Sequence, residues 1–98
     1  MAENRIAAVT QVDNNWQISG DVLINTANDL LKQSQTFPIG QNTKIDFARV
    51  TDVDTTAVSL ILEWKRRAAK EGQTLDFVNL PENLTSLIQL YDVAELIN

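Results

Sequence analysis

Residues 44–72 read KIDFARVTDVDTTAVSLILEWKRRAAKEG, and the pattern of side chains changes character twice within that stretch. Lys44-Ile45-Asp46-Phe47-Ala48 alternates polar and apolar residues, the period of a short strand with one face buried. Thr51-Asp52-Val53-Asp54 is a polar connection. From Thr55 to about Glu71 the apolar residues recur at helical spacing. Gly72 sits just past that run, where a glycine readily takes the left-handed C′ conformation. Lys65, Arg66, Arg67 and Lys70 crowd the C-terminal half of the helix, where positive charge complements the helix dipole. A strand feeding a helix through a short polar turn is the building unit of an α/β fold.

Working outward confirms the unit. Toward the N-terminus, Pro38 and Gly40 mark a loop. Val22 to Gln33 predicts a helix on the spacing of Leu23, Ala27, Leu30 and Leu31, with Asn25 or Thr26 as its cap. Gly20-Asp21 ends a half-buried strand, Trp16-Gln17-Ile18-Ser19. Val12-Asp13-Asn14-Asn15 is a turn, because Asp and Asn tolerate left-handed backbone and bond to it. Arg5 to Gln11 reads as a first strand with Ile6, Ala8 and Thr10 on one face, and the two strands form an antiparallel hairpin. Toward the C-terminus, Thr74 to Val78 alternates as another strand. Pro81 opens a last helix, where its missing N–H costs nothing, with Leu84, Leu87, Ile88 and Tyr91 as its apolar face. Val93, Leu96 and Ile97 are expected to fold back on it. The order is β-β-α-β-α-β-α, a single domain over residues 1–98. Alternating strands and helices after a hairpin predict an α/β fold with a small mixed sheet, right-handed crossovers and helices mainly on one face.

Composition narrows the chemistry. The 98 residues include no cysteine and no histidine. Disulfides, thiolate metal sites, cysteine nucleophiles, the usual general base and the commonest transition-metal ligand are therefore excluded. No cofactor is expected. The net charge of −5 disfavours a nucleic-acid partner. Lys65-Arg66-Arg67 with Lys70 is the one basic cluster, and it reads either as a solvated face or as a contact to an acidic patch. No apolar run approaches the ~18 residues of a membrane-spanning helix, and Met1 to Arg5 lead into no signal-peptide core. The expected location is the cytoplasm, without direct membrane insertion.

Three stretches in this order resemble the STAS domain, the family of anti-sigma-factor antagonists and of the cytoplasmic tails of anion transporters. Ile18-Ser19-Gly20-Asp21-Val22-Leu23 is similar to the strand end before the first STAS helix. Ile45-Asp46-Phe47-Ala48 followed by Val50-Thr51-Asp52-Val53-Asp54-Thr55-Thr56-Ala57 resembles the family's strand and signature turn, an Asp followed by a hydroxyl residue. Leu90-Tyr91-Asp92-Val93 is similar to its C-terminal ending. Within the family the closest likeness is to the stand-alone STAS subunit of the bacterial Mla phospholipid-transport ABC complex, which carries Asp-Thr at the turn, as here with Asp54-Thr55. That resemblance implies a non-catalytic accessory subunit that binds and regulates the transporter's ATPase subunit. Through it the chain would meet a membrane permease complex and lie at the inner membrane. The alternative is an anti-sigma-factor antagonist, phosphorylated at the residue matching Thr55. Both groups usually have glycine where this chain has Ala57.

The partner-binding residues expected from these readings are Asp54, Thr55, Thr56, Leu60, Trp64 and Arg67. Asp54 or Thr55 equally reads as a plain N-cap of the helix. A phosphate on Thr55 would be welcomed by the helix terminus and opposed by Asp52 and Asp54. Ala57, Leu60, Ile61, Trp64 and Ala68 form one stripe of the helix, and Val58, Leu62 and Ala69 an adjacent one. Together they span about 200° where one core-facing stripe needs ~100°. Some of Leu60, Leu62 and Trp64 are then expected at the surface unless a neighbour covers them, with Trp64 as the anchor of an interface. Arg66 and Arg67 lie at the rim. Trp16 reads as core, and Asp46 as exposed on the face opposite Ile45 and Phe47. A small carboxylate enzyme using Asp52 and Asp54 is the third possibility, but nothing else in the sequence completes a catalytic set.

Overall fold

The computed structural model of the chain describes residues 7–91. Seven elements follow in the order expected: β1 (Ala8–Val12), β2 (Asn15–Val22), α1 (Ala27–Ser34), β3 (Thr43–Val53), α2 (Thr55–Lys70), β4 (Leu75–Val78) and α3 (Glu82–Leu90). The strands form a mixed sheet of order β1-β2-β3-β4. β1 and β2 are the antiparallel hairpin, and the β2–β3 and β3–β4 pairs are parallel. Asp13, at φ 58°, makes the hairpin's tight turn, a conformation that Asp accepts more readily than most residues. Asn14 and Asn15 then reach the start of β3: Asn14 Nδ2 donates to the Gln41 carbonyl at 2.8 Å, and Asn15 Oδ1 accepts from the Lys44 N–H at 3.1 Å.

One apolar core lies between the sheet and the helices. Val9, Trp16, Ile18, Val22, Ile45, Phe47, Val53 and Leu75 reach it from the strands, and Leu30, Ile61 and Leu84 from the three helices. Trp16 is fully buried, as expected, with Trp64 edge-on at 5.7 Å and Phe37 edge-on at 5.6 Å between ring centroids. Such pairs are favourable beyond the area they bury.

Several local readings are corrected. On β1 the buried side chains are Ala7 and Val9, not the Ala8 and Thr10 face; an Ala-rich strand carries too weak an alternation to fix its register. α1 begins at Ala27 rather than Val22. Thr26 Oγ1 accepts from the Leu23 N–H at 2.9 Å and donates to the Asp21 carbonyl at 2.8 Å, which folds residues 23–26 into a turn instead of a first helical turn. β2 runs on through Gly20-Asp21 to Val22, and β3 runs from Thr43 to Val53, so the expected polar connection at Thr51-Asp52-Val53 is strand.

β3 hid its length because two extra residues interrupt its alternation. Between the pairs Gln17↔Asp46 and Ser19↔Arg49, and again between Gly20↔Val50 and Asp21↔Asp52, β3 advances one residue more than β2. Bulges of this kind flip the side-chain period. Asp46 holds the first bulge: its Oδ1 accepts from the Ala48 N–H at 2.8 Å and from Asn79 Nδ2 at 2.9 Å. It is therefore half-buried and engaged, rather than simply exposed. The Arg5 and Ile6 start of the first strand, and the expected packing of Val93, Leu96 and Ile97, lie outside the described residues.

α2 matches its sequence closely at both ends. Asp54 is its N-cap. At the other end the Gly72 N–H bonds the Ala69 carbonyl at 3.1 Å and the Gln73 N–H bonds the Ala68 carbonyl at 2.9 Å, with Gly72 at φ 69°. That is the Schellman closure, which the missing Cβ makes inexpensive.

Candidate functional site

β3 delivers the chain to the edge of the core at Val53, and α2 starts two residues later. The turn between them is held by one carboxylate. Asp54 Oδ1 accepts from the Thr56 N–H at 2.9 Å and from the Thr56 hydroxyl, and Asp54 Oδ2 accepts from the Ile24 N–H at 2.9 Å. The Asp54 N–H in turn bonds the Val22 carbonyl at 3.2 Å. Asp54 thus caps α2 and ties the turn before α1 to it. Partial burial pushes its pKa up, but the hydrogen bonds from Thr56 and Ile24 outweigh this and hold the carboxyl below its ordinary value.

With Asp54 in the cap position, Thr55 is the first residue of α2 and its side chain faces outward, exposed. Thr56 is half-buried and turned back on Asp54. Ile24, 76% exposed, stands beside them. Ile24, Val53, Asp54, Thr55 and Thr56 line a shallow depression together with Asn83, Ser86 and Leu87 of α3. A second shallow groove runs from Ile24 between α1 and α2 past Ala27, Thr56, Ser59 and Glu63. The open end of α2 therefore presents an unengaged hydroxyl among small and apolar side chains.

The lower half of the helix does not. Leu60 is 5% exposed and Trp64 1%, so the expected surface anchor is a core residue. α1 and the loop after it cover this side: Trp64 Nε1 donates to the buried Ser34 Oγ at 2.9 Å, and Trp16 packs against the ring. Among the expected surface residues of the wide apolar arc, Leu62 alone is half-exposed. The arc is wider than one stripe because α2 packs against both α1 and α3, while Ile61 and Trp64 join the core residues of the sheet.

Arg67 is also taken up internally. Its Nη1 donates to the Ser34 carbonyl at 2.9 Å, its Nη2 to the Phe37 carbonyl, and its Nε to Glu71 Oε2 at 3.3 Å, while the guanidinium carbon sits 5.7 Å from the centre of the Trp16 ring. It caps the carbonyl end of α1 rather than offering its fork to a partner. Arg66 stays exposed and pairs with Glu63. Asp52 is exposed with Oδ1 bonded to the Val53 N–H at 2.9 Å. Asp52 is not among the residues that line the depression around Asp54, and no group of three or more metal-ligating carboxylates occurs among the described residues.

Of the six expected residues the structure thus brings Asp54, Thr55 and Thr56 to one surface, buries Leu60 and Trp64, and leaves Arg67 half-buried with its guanidinium bonded to the carbonyls of Ser34 and Phe37. Ile24, Ser86 and Leu87 were not anticipated. The signal for Ile24 was the Thr26-x-x-Asp29 spacing, which marks a helix start at Ala27 and leaves Ile24 in the preceding turn. The family model described as Mlab, STAS domain matches residues 8–98. No curated protein sequence matches the chain.

Proposed function

The chain belongs to the STAS domain family, and from that premise we propose that it is a non-catalytic accessory subunit of a phospholipid-transporting ABC complex, docked on the ATPase subunit through the open end of α2. STAS domains generally bind and regulate other proteins. The observation that carries the reading is the exposed Thr55 at the start of α2, next to an Asp54 whose carboxylate is fully occupied with holding the turn. A side chain free of structural duty on a rigid helix end is suited to recognition. Ile24 supplies apolar area beside it, and Thr56, Ser86 and Leu87 complete a surface with little charge. The chain acts as one domain. It works in the cytoplasm, at the inner membrane, through its partner; among residues 7–91 no helix is long and apolar enough to cross a membrane.

Affinity purification from its native cell tests this. Recovery of an ABC ATPase and its permease, reduced at least about tenfold by Thr55→Glu in a folded variant, supports the proposal. Recovery of an anti-sigma kinase that phosphorylates Thr55, with no transporter subunit, would replace it with the anti-sigma-factor antagonist.

A further inference from the structure

β1 is an edge strand: among the described residues no strand lies beyond it. The edge of a sheet presents a row of backbone donors and acceptors that will pair with another strand unless something occupies them. In the hairpin register, Ala8, Thr10 and Val12 stand opposite Ser19, Gln17 and Asn15. Val12 and Asn15 flank a two-residue turn, so they form a hydrogen-bonded pair, and alternation makes Thr10 and Ala8 hydrogen-bonded positions too. The N–H and C=O groups of Ala7, Val9 and Gln11 then point away from β2, along the open edge.

One side chain fills part of that edge. Gln33, on the last turns of α1, accepts from the Val9 N–H at 2.9 Å through Oε1 and donates from Nε2 toward the Ala7 carbonyl at 3.4 Å. An amide that receives one N–H and offers one N–H to the same strand does what the N–H and C=O of one residue on a neighbouring strand would do. Asp29, one turn earlier, holds it there: its Oδ2 accepts from Gln33 Nε2 at 3.2 Å.

We propose that the outer edge of β1 is a strand-pairing surface for a second copy of this chain, and that Gln33 keeps it closed. A second copy brings the same outward groups, so the register of the pair is set by a twofold axis. Two β1 strands brought together antiparallel about Thr10 would set each Val9 opposite the partner's Gln11. They would form four ladder bonds, two of them donated by the Val9 N–H groups. Those are the donors Gln33 consumes. Thr10, exposed, would meet its own copy across the twofold axis, a favourable cross-strand pair. Withdrawing both Val9 donors removes half of the ladder, so the wild-type edge stays unpaired while the hairpin itself is untouched.

The test combines hydrogen exchange with sedimentation. In the wild-type protein the Val9 amide exchanges markedly more slowly than the Gln11 amide, although both point outward; equal rates would show that Gln33 does not hold the edge and would overturn the proposal with no variant made. Gln33→Ala then self-associates at least about tenfold more tightly than wild type, the combined effect of two released donors. Gln11→Pro in that background abolishes the gain, because proline removes an outward donor that the hairpin does not use. A Gln33→Ala protein no more associated than wild type, or one whose association ignores Gln11→Pro, sinks the idea.

Discussion

The two ends of α2 put their polar side chains to opposite uses. At the N-terminal end a short polar turn is held by one carboxylate, and the neighbouring hydroxyl is left facing outward. At the C-terminal half, two polar groups are turned inward: the Trp64 indole bonds Ser34, and the Arg67 fork closes on the carbonyls of Ser34 and Phe37. The lesson is that residue type does not reveal which polar or aromatic group is available. Trp and Arg are common in interfaces, yet here the geometry spends both on joining α1 to α2. The plainer threonine is the one left free.

This contrast can be broken, and the largest effect expected is at Trp64. Trp64→Ala removes a ring packed on Trp16 and takes the indole donor from the buried Ser34 hydroxyl, which keeps its own bond to the Leu31 carbonyl. A loss of about 3–5 kcal/mol is expected by urea denaturation, enough to unfold many domains of this size. A folded Trp64→Ala domain with near wild-type stability would mean that the lower half of α2 is more open than its burial indicates. Next, Arg67→Met keeps much of the stem but leaves the Phe37 carbonyl without its donor and the Ser34 carbonyl with the Phe37 N–H alone. A loss of about 1–3 kcal/mol is expected, with faster amide exchange at the C-terminal end of α1 rather than throughout the chain.

Asp54→Ala should cost about 1–2 kcal/mol, because one carboxylate both caps α2 and holds Ile24. It also carries a pH signature. Hydrogen bonds keep the folded carboxyl below its unfolded value of about 3.9. Its contribution is complete above that unfolded value and is lost as pH falls through the lower, folded one. Acid titration of stability should therefore be flatter below about pH 4 in Asp54→Ala than in wild type, with parallel curves above. Identical acid limbs would show that Asp54 is not the residue holding this turn. The smallest structural effect belongs to Thr55→Glu. An exposed acidic residue in the first turn of a helix is compatible with the dipole, and stability should change by no more than about 0.5 kcal/mol. The same substitution is the one expected to cost partner binding, and that separation of readouts is what distinguishes the open end from the sealed half.

Much of this was legible beforehand because it is encoded within a few neighbouring residues. The Asp54 cap, the Gly72 closure and the apolar period between them delimit α2 without help from the rest of the chain. Pro81 marks the start of α3 in the same way, and the Asp13-Asn14 turn marks the hairpin. The readings that failed depended on pairing. β3 was read short because its two bulges exist only relative to β2, and the face of β1 was misassigned because Ala7, Ala8, Val9 and Thr10 differ too little in polarity. α1 was started too early because the competing turn is made by Thr26 reaching back to Leu23 and Asp21. Of the expected site, the contiguous Asp54-Thr55-Thr56 reached one surface, whereas Leu60, Trp64 and Arg67, chosen for helix position alone, did not.

The sequence by itself determined the element order, the family, the ends of the central helix and the absence of histidine and cysteine chemistry. These are properties of composition and of spacings within a few turns. Only the tertiary structure decided which side chains are free. α1 and α3 flank α2 on the same face of the sheet, so most of an apolar arc wide enough to suggest an interface became core, and the expected site residues left at the surface are those of the turn around Thr55.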